Sequence, residues 1–241
     1  MHVRHERLME ELRQPAPAAA AVERAALQVL KGSQDIVAEL RAAGAHGKAA
    51  SFAFHADDLE YHQTVARILQ TGPRPVASGP RQPERRAWGL EEVPEAAVRA
   101  VLEAYCNLAT VGVGMLGELM RVKGMAQGLM CAVEAGAGEV KAHGVFLLSQ
   151  LAIAGPEAAM RVALLPGLPG ACCRALCSTS KSEKLTLSWA LLVNNVAALG
   201  GEEAVRVLTA HSTLVHELGA WLDSAQDAAT LQRLTGVSAR V

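Results

Sequence analysis

From Pro94 onward the apolar and polar positions of this 241-residue chain recur at helical spacing almost to the end, and before Pro94 they do so in two separate stretches. Residues 19–43 place Val22, Ala25, Leu27, Leu30, Ile36, Val37 and Leu40 at roughly helical intervals. Gly32-Ser33 divides that stretch, with Ser33 expected as N-cap of a second piece, and Gly44 and Gly47 end it. Residues 57–70 put Leu59, His62, Val65, Ala66 and Leu69 on one side of another helix with an acidic first turn. Residues 71–93 hold four prolines and three glycines and read as an irregular insert or linker, anchored at its far end by Trp88 and Leu90. The expected organisation is an N-terminal helical region over 1–70, a Pro/Gly-rich linker or insert over 71–93, and a repeat domain over 94–241.

Within 94–241 three segments superimpose. They start at Pro94, Gly138 and Ser182 and end in Asn107-Leu108-Ala109, Gln150-Leu151-Ala152 and Asn195-Val196-Ala197, with offsets of 43 and 45 residues. After each ending come two shorter helical stretches, separated at Gly124, Gly167 and Ser212 with the same two offsets. Two independent landmarks sharing one spacing mark a real repeat. A period near 43 with three helices per unit is that of armadillo and HEAT repeats, in which each unit needs a neighbour to bury its apolar face. Pro94-Glu95 and Pro156-Glu157 place proline and acid where a helix start tolerates both. Gly155 and Gly200 are expected in a left-handed or tight turn after a helix. Trp189 is expected in the core.

The long segments resemble the armadillo repeat, whose third helix ends in a small-Asn-Leu-Ala-like run; the counterparts are Cys106-Asn107-Leu108-Ala109, Ser149-Gln150-Leu151-Ala152 and Asn194-Asn195-Val196-Ala197. The resemblance covers about 94–225. It implies an all-α, right-handed helical solenoid of about three repeats, with N-terminal helices and the insert added. It also implies that the third helices line a concave groove, where the asparagine bonds the backbone of an extended partner and a residue one turn earlier adds a side-chain surface. Carried over by position, these sites are Asn107, Gln150 and Asn195, and Glu103, Phe146 and Leu191. The best-known peptide-binding members have tryptophan at the earlier position. Its absence here, and the lack of a regular row of acids, point to a flatter and more apolar contact than a grip on basic peptides. Residues 226–234 read as the start of a fourth third-helix, and the helices of 19–70 as a cap or a degenerate repeat. An end face left uncapped is a further expected contact, for a partner or for a second copy.

The composition narrows the classes. At 51% hydrophobic and 20% charged the chain is no disordered polyelectrolyte, and with only 3% aromatic residues its core must rest on alanine and leucine, which suits close helix packing. The formal net charge is −1, and 12 basic and 12 acidic residues precede Pro94, so no basic field exists for a nucleic-acid backbone. The longest uncharged stretch near the C-terminus, 185–201, carries two asparagines and is short for a membrane span, so no membrane insertion is expected. The N-terminus has no apolar core, so no secretory signal is expected, and five cysteines in apolar text read as reduced core residues of a cytoplasmic, reducing compartment.

Candidate chemistry is set against that frame. Gly112-Val113-Gly114-Met115-Leu116-Gly117 matches G-x-G-x-x-G with Glu134 downstream, but helical text precedes it where a nucleotide site needs a strand, so it reads as an inter-helix turn. Cys172, Cys173 and Cys177 lack paired ligand spacing, and neither His55 with His62 and Asp58 nor His211 with His216 completes a metal set. Asp57-Asp58, Glu91-Glu92 and Glu202-Glu203 stand at helix starts, the ordinary place for acids. Arg81, Arg85 and Arg86 read as a solvated part of the insert, with contact to an acidic or phosphorylated partner as the other possibility. No catalytic residue, cofactor or metal is expected. The leading expectation is a protein-binding or scaffold module, either an adaptor for extended peptides or a structural subunit of a larger assembly. Two alternatives are an armadillo-like nucleotide-exchange regulator of an Hsp70 chaperone and a helical-repeat enzyme acting on nucleic acid.

Overall fold

The structure, a computed structural model, describes residue 10, residues 19–42, 62–63, 65–66, 69, 95–110, 119, 121–136, 138–177, 183–211, 213–216 and 220. Among them are eight helices and no strand: α1 (Ala19–Ala42), α2 (Glu95–Ala109), α3 (Met125–Ala135), α4 (Gly138–Ala152), α5 (Pro156–Ala163), α6 (Leu168–Cys177), α7 (Glu183–Leu199) and α8 (Gly201–Thr209). The three long repeat segments are α2, α4 and α7. The first two stop at the alanine that closes the aligned ending, and α7 runs two residues further. The insert at 71–93, the G-x-G-x-x-G stretch and residues 226–234 lie outside the described residues.

Backbone contacts divide the chain into two compact units, Met1–Leu147 and Leu148–Val241, the division falling inside α4. In the first unit α1 packs along α2. The buried positions are mostly small: α1 buries Ala21, Val22, Ala25, Ala26, Val29 and Val37, and α2 buries Ala97, Val98, Ala100, Val101, Ala104 and Ala109 beside Leu102, Tyr105 and Leu108. Short side chains let two helix axes approach closely, which is how a chain poor in aromatics reaches native packing density. Val65, Ala66 and Leu69 are fully buried, as their helical spacing leads one to expect. α3 and α4 also meet closely: a methyl group placed on Gly144 would come within 2.8 Å of Val133 Cγ2.

Two expectations for α1 are corrected. It is one continuous helix through Gly32-Ser33, because the Ser33 hydroxyl donates to the Leu30 carbonyl at 2.7 Å inside the helix and so does not act as a cap. Leu27 does not belong to the core but is 48% exposed; the buried face is carried by the alanines and valines beside it.

In the second unit α7 packs on α5, α6 and α8. Trp189 is 2% exposed, in the core as expected. Gly155 and Gly200 both stand in turns after a helix, as expected, and the turn from α7 into α8 uses its two glycines differently. Gly155 does have positive φ (147°), but Gly200 is ordinary at −80° and Gly201 carries the left-handed conformation at 69°. Gly200 is needed for space: a methyl group there would lie 2.4 Å from Ala204 Cβ and 2.8 Å from the Val196 carbonyl oxygen.

The break between the two shorter helices is also a repeated structure. The amide of Val122 donates to the Leu119 carbonyl and that of Met125 to the Val122 carbonyl, each at 3.1 Å. The same pair of bonds joins Val162, Leu165 and Leu168, and again Leu208, His211 and Leu214. All but His211 are apolar and buried, so each corner is closed by its own small core. In the first two corners the chain reverses through Gly124 (φ 85°) and Gly167 (φ 84°). Ser212 lies outside the described residues.

Two stability predictions follow from this packing. Gly167→Ala is expected to cost about 1–2 kcal/mol, the penalty of a Cβ in the left-handed region. Leu192→Ala, at a fully buried position, is expected to cost about 2–5 kcal/mol, against about 0.5 kcal/mol or less for Leu27→Ala. Urea denaturation measures all three, and equal costs for Leu192→Ala and Leu27→Ala would contradict the assigned faces.

Candidate functional site

Each third helix carries a partly accessible stripe beside its buried residues. On α2 it runs through Arg99, Glu103, Asn107 and Thr110; on α4 through Glu139, Phe146 and Gln150; on α7 through Ser188, Leu191 and Asn195. The spacing of three or four residues keeps each set on one side of its helix. All six sequence-derived site residues, Glu103, Asn107, Phe146, Gln150, Leu191 and Asn195, are half-buried, while Leu108, Leu147, Leu151, Leu192 and Val196 beside them are buried. On each helix, then, the residue pair one turn apart is reachable and rigidly held.

The asparagines are not idle within the chain. In the first unit Asn107 Nδ2 donates to Ser33 Oγ at 3.2 Å. In the second, Asn195 Nδ2 donates to Ser149 Oγ at 3.0 Å and to the Ser149 carbonyl at 3.2 Å. Both serines are fully buried, and a buried hydroxyl must find partners or cost stability. The orientation of each amide is forced. Ser33 gives its proton to the Leu30 carbonyl, so its oxygen can only accept from Asn107. A carbonyl can only accept, so Asn195 must turn its NH2 group to Ser149. Sequence reading missed these serines, although one signal was in view. Ser33-Gln34 in α1 repeats Ser149-Gln150 in α4, and the Ser33–Asn107 bond between α1 and α2 is matched by the Ser149–Asn195 bond between α4 and α7. In α1 Leu30 is half-buried and Gln34 exposed.

Gln150 differs from the two asparagines. Among the described residues its side-chain amide makes no hydrogen bond. In α2 the position occupied by Ser33 and Ser149 in the other helices holds Cys106, whose Sγ faces the His143 carbonyl at 3.9 Å.

The remaining polar groups are structural. His62 Nδ1 and the Tyr105 hydroxyl lie 2.5 Å apart in a buried hydrogen bond that ties His62 to α2. His62 is thus a core residue, and His55 and Asp58 lie outside the described residues. Among the described residues no group of three or more His, Cys, Asp or Glu side chains could hold a metal ion. Burial pushes the Cys172 thiol well above its ordinary range, with Cys173 adding to it, and burial does the same to Cys106, with the Glu103 carboxylate adding to it. Such thiols stay protonated and unreactive. Arg99 reaches Glu139 at 3.4 Å, and Arg161–Glu157 and Arg206–Glu203 pair within one helix turn, all on the surface, where such pairs contribute little. Among the described residues no helix is long and apolar enough to cross a membrane.

No protein-family model matches the chain, and no curated protein matches it in sequence. Solved structures do match. A designed armadillo repeat protein, YIII(Dq)4CqI, aligns over 97% of this chain and 98% of its own, with a TM-score of 0.56 and 17% identity. A second, YIII(Dq.V1)4CPAF in complex with the peptide (KR)4, aligns over 95% and 96%, with a TM-score of 0.54 and 17% identity. An engineered protein, target OR497, aligns over 99% of this chain and 58% of its own, with a TM-score of 0.54 and 15% identity. The chain therefore has an all-α, armadillo-like repeat fold of the solenoid class.

Tyr105→Phe is expected to lower stability by about 0.5–1.5 kcal/mol, because it removes a buried hydrogen bond; unchanged thermal unfolding would contradict that. Cys172 is expected to resist iodoacetamide in the folded protein and to react once the chain is unfolded, as peptide mass mapping would show.

Proposed function

We propose that the chain is a non-enzymatic protein-binding module that holds an extended segment of another protein against the accessible faces of its third helices. The observation that carries this reading is the recurrence, on three helices, of a half-buried amide with a second half-buried side chain one turn before it. An amide offers both a donor and an acceptor, which is what the backbone of an extended chain needs. The side chain beside it supplies surface for the partner's own side chains. The designed neighbour bound to (KR)4 is an instance of this fold holding a peptide. Here the positions before the amides are Glu103, Phe146 and Leu191, so the segment taken up is more apolar than a purely basic one. In this reading residues 94–241 carry the binding repeats, and the N-terminal region contributes α1 as a further third helix. Membership of a larger assembly is compatible with it, the partner then being a neighbouring subunit.

Phe146→Ser with Leu191→Ser should weaken partner binding by about 100-fold or more, since each buried apolar side chain contributes roughly 1.5–3 kcal/mol. Titration of the captured partner by calorimetry reads the change, with circular dichroism confirming that the variant remains helical. Undiminished binding by the folded variant would remove the third-helix faces as the site and leave the insert or the end faces as the contact.

A further inference from the structure

We infer that Leu30 of α1, Glu103 of α2 and Phe146 of α4 form a row in the first unit, and that the row takes an extended partner segment in which a lysine or arginine is flanked by apolar side chains. This assignment rests on the protein-binding reading above and deepens it by naming the partner's chemistry. All three residues stand within Met1–Leu147, and all are half-buried. Two contacts set the order of their helices. Asn107 of α2 bonds Ser33 of α1 at 3.2 Å, and Leu30 and Glu103 each lie one turn before that bonded pair. Towards α4, Cys106 Sγ comes to 3.9 Å from the His143 carbonyl, with Glu103 one turn before Cys106 and Phe146 one turn after His143. α2 therefore touches both α1 and α4, and the side chains the three helices offer run apolar, acidic, apolar.

Charge decides what the middle position accepts. A carboxylate partly withdrawn from water binds an ammonium or guanidinium group by a charge-assisted hydrogen bond, and it repels an acid. The basic residue one turn before Glu103 is Arg99, which reaches Glu139 instead, at 3.4 Å. Among the described residues Glu103 forms no ion pair, and its carboxylate stands beside the Cys106 thiol. A partner's lysine or arginine supplies the cation. On either side Leu30 and Phe146 offer apolar surface, and the exposed Leu27, one turn before Leu30, lengthens it on α1. Such surface gains by being covered. Helix axes in contact stand about 8–10 Å apart, and an extended chain advances about 3.3 Å per residue. The partner's apolar residues therefore stand about two to three positions to either side of its basic one. A run of basic residues would meet a single acid in this row, so a mixed segment fits it and a basic one does not.

The test uses the full chain and peptides selected on it from a random display library. Selected sequences should share a lysine or arginine with apolar residues about two to three positions away on both sides. Glu103→Lys should weaken a selected peptide about tenfold. Changing the peptide's basic residue to glutamate should restore binding to that variant and lower it with the wild-type chain, an exchange that a merely structural role of Glu103 would not produce. Leu27→Ser with Leu30→Ser should weaken binding about tenfold, with circular dichroism confirming the helical fold. Should that pair unfold the chain, Leu27→Ser alone, at an exposed position, reads the same surface with a smaller loss. Peptides that share no basic residue, or that lose affinity with Phe146→Ser and keep it with Glu103→Lys, would overturn the row's chemistry and leave the protein-binding reading standing. A library that yields no binder, or binders indifferent to Phe146→Ser with Leu191→Ser, would remove that reading and the row with it.

Discussion

The structure depends on the packing of α1 along α2, two helices whose buried positions are mostly alanine and valine. That packing has two consequences. It buries a serine hydroxyl, and it brings an asparagine from the next helix close enough to satisfy it. The second unit shows the same relation between Ser149 and Asn195. Apolar burial sets the distance between the helices, and the hydrogen bond sets their register, because an unmatched serine in either helix would stay buried and unpaired. A larger side chain at these contacts would separate the helices and leave both groups without partners.

This arrangement gives the amide positions two uses. A side chain bound to its neighbour is pre-oriented but has given up donors: Asn195 directs its NH2 to both oxygens of Ser149, whereas Asn107 gives one N–H to Ser33 and keeps the other. One that is unbound is free to serve a ligand, at the cost of some rotamer entropy on binding. The bonds from Asn107 to Ser33 and from Asn195 to Ser149 give the chain a reason of stability to keep an asparagine at each of these half-buried positions.

Much of the fold was legible in the sequence because it is written as a repetition. The aligned endings locate the ends of α2 and α4, and Gly124 and Gly167 locate the corners, since an armadillo-like unit has few other ways to turn. The faces of the amphipathic helices were legible in part. Val65, Ala66, Leu69 and Trp189 are core, as their spacing implies, whereas Leu27 is exposed because periodicity alone does not weigh a leucine against a neighbouring pair of alanines. The left-handed residue was not legible between Gly200 and Gly201 because two adjacent glycines offer the same freedom, and only packing against Ala204 distinguishes them. The candidate site positions were legible as residues sharing a helix face, but the commitments of their amides were not. Those depend on Ser33 and Ser149, which stand 74 and 46 residues from their partners, and no local rule pairs them. Ser33 in particular resembled a cap, because a serine after a glycine is the usual sign of a helix start.

The most direct measurement is the nuclear magnetic resonance of the side-chain NH2 groups in 15N-labelled protein, recorded before and during titration with a bound peptide. The account predicts that the Asn195 NH2 signals are protected from solvent exchange in the free protein, because the group serves both oxygens of Ser149, and that the Gln150 NH2 signals shift and become protected as the peptide binds. Free exchange at Asn195 without peptide, or unchanged Gln150 signals on binding, would contradict it.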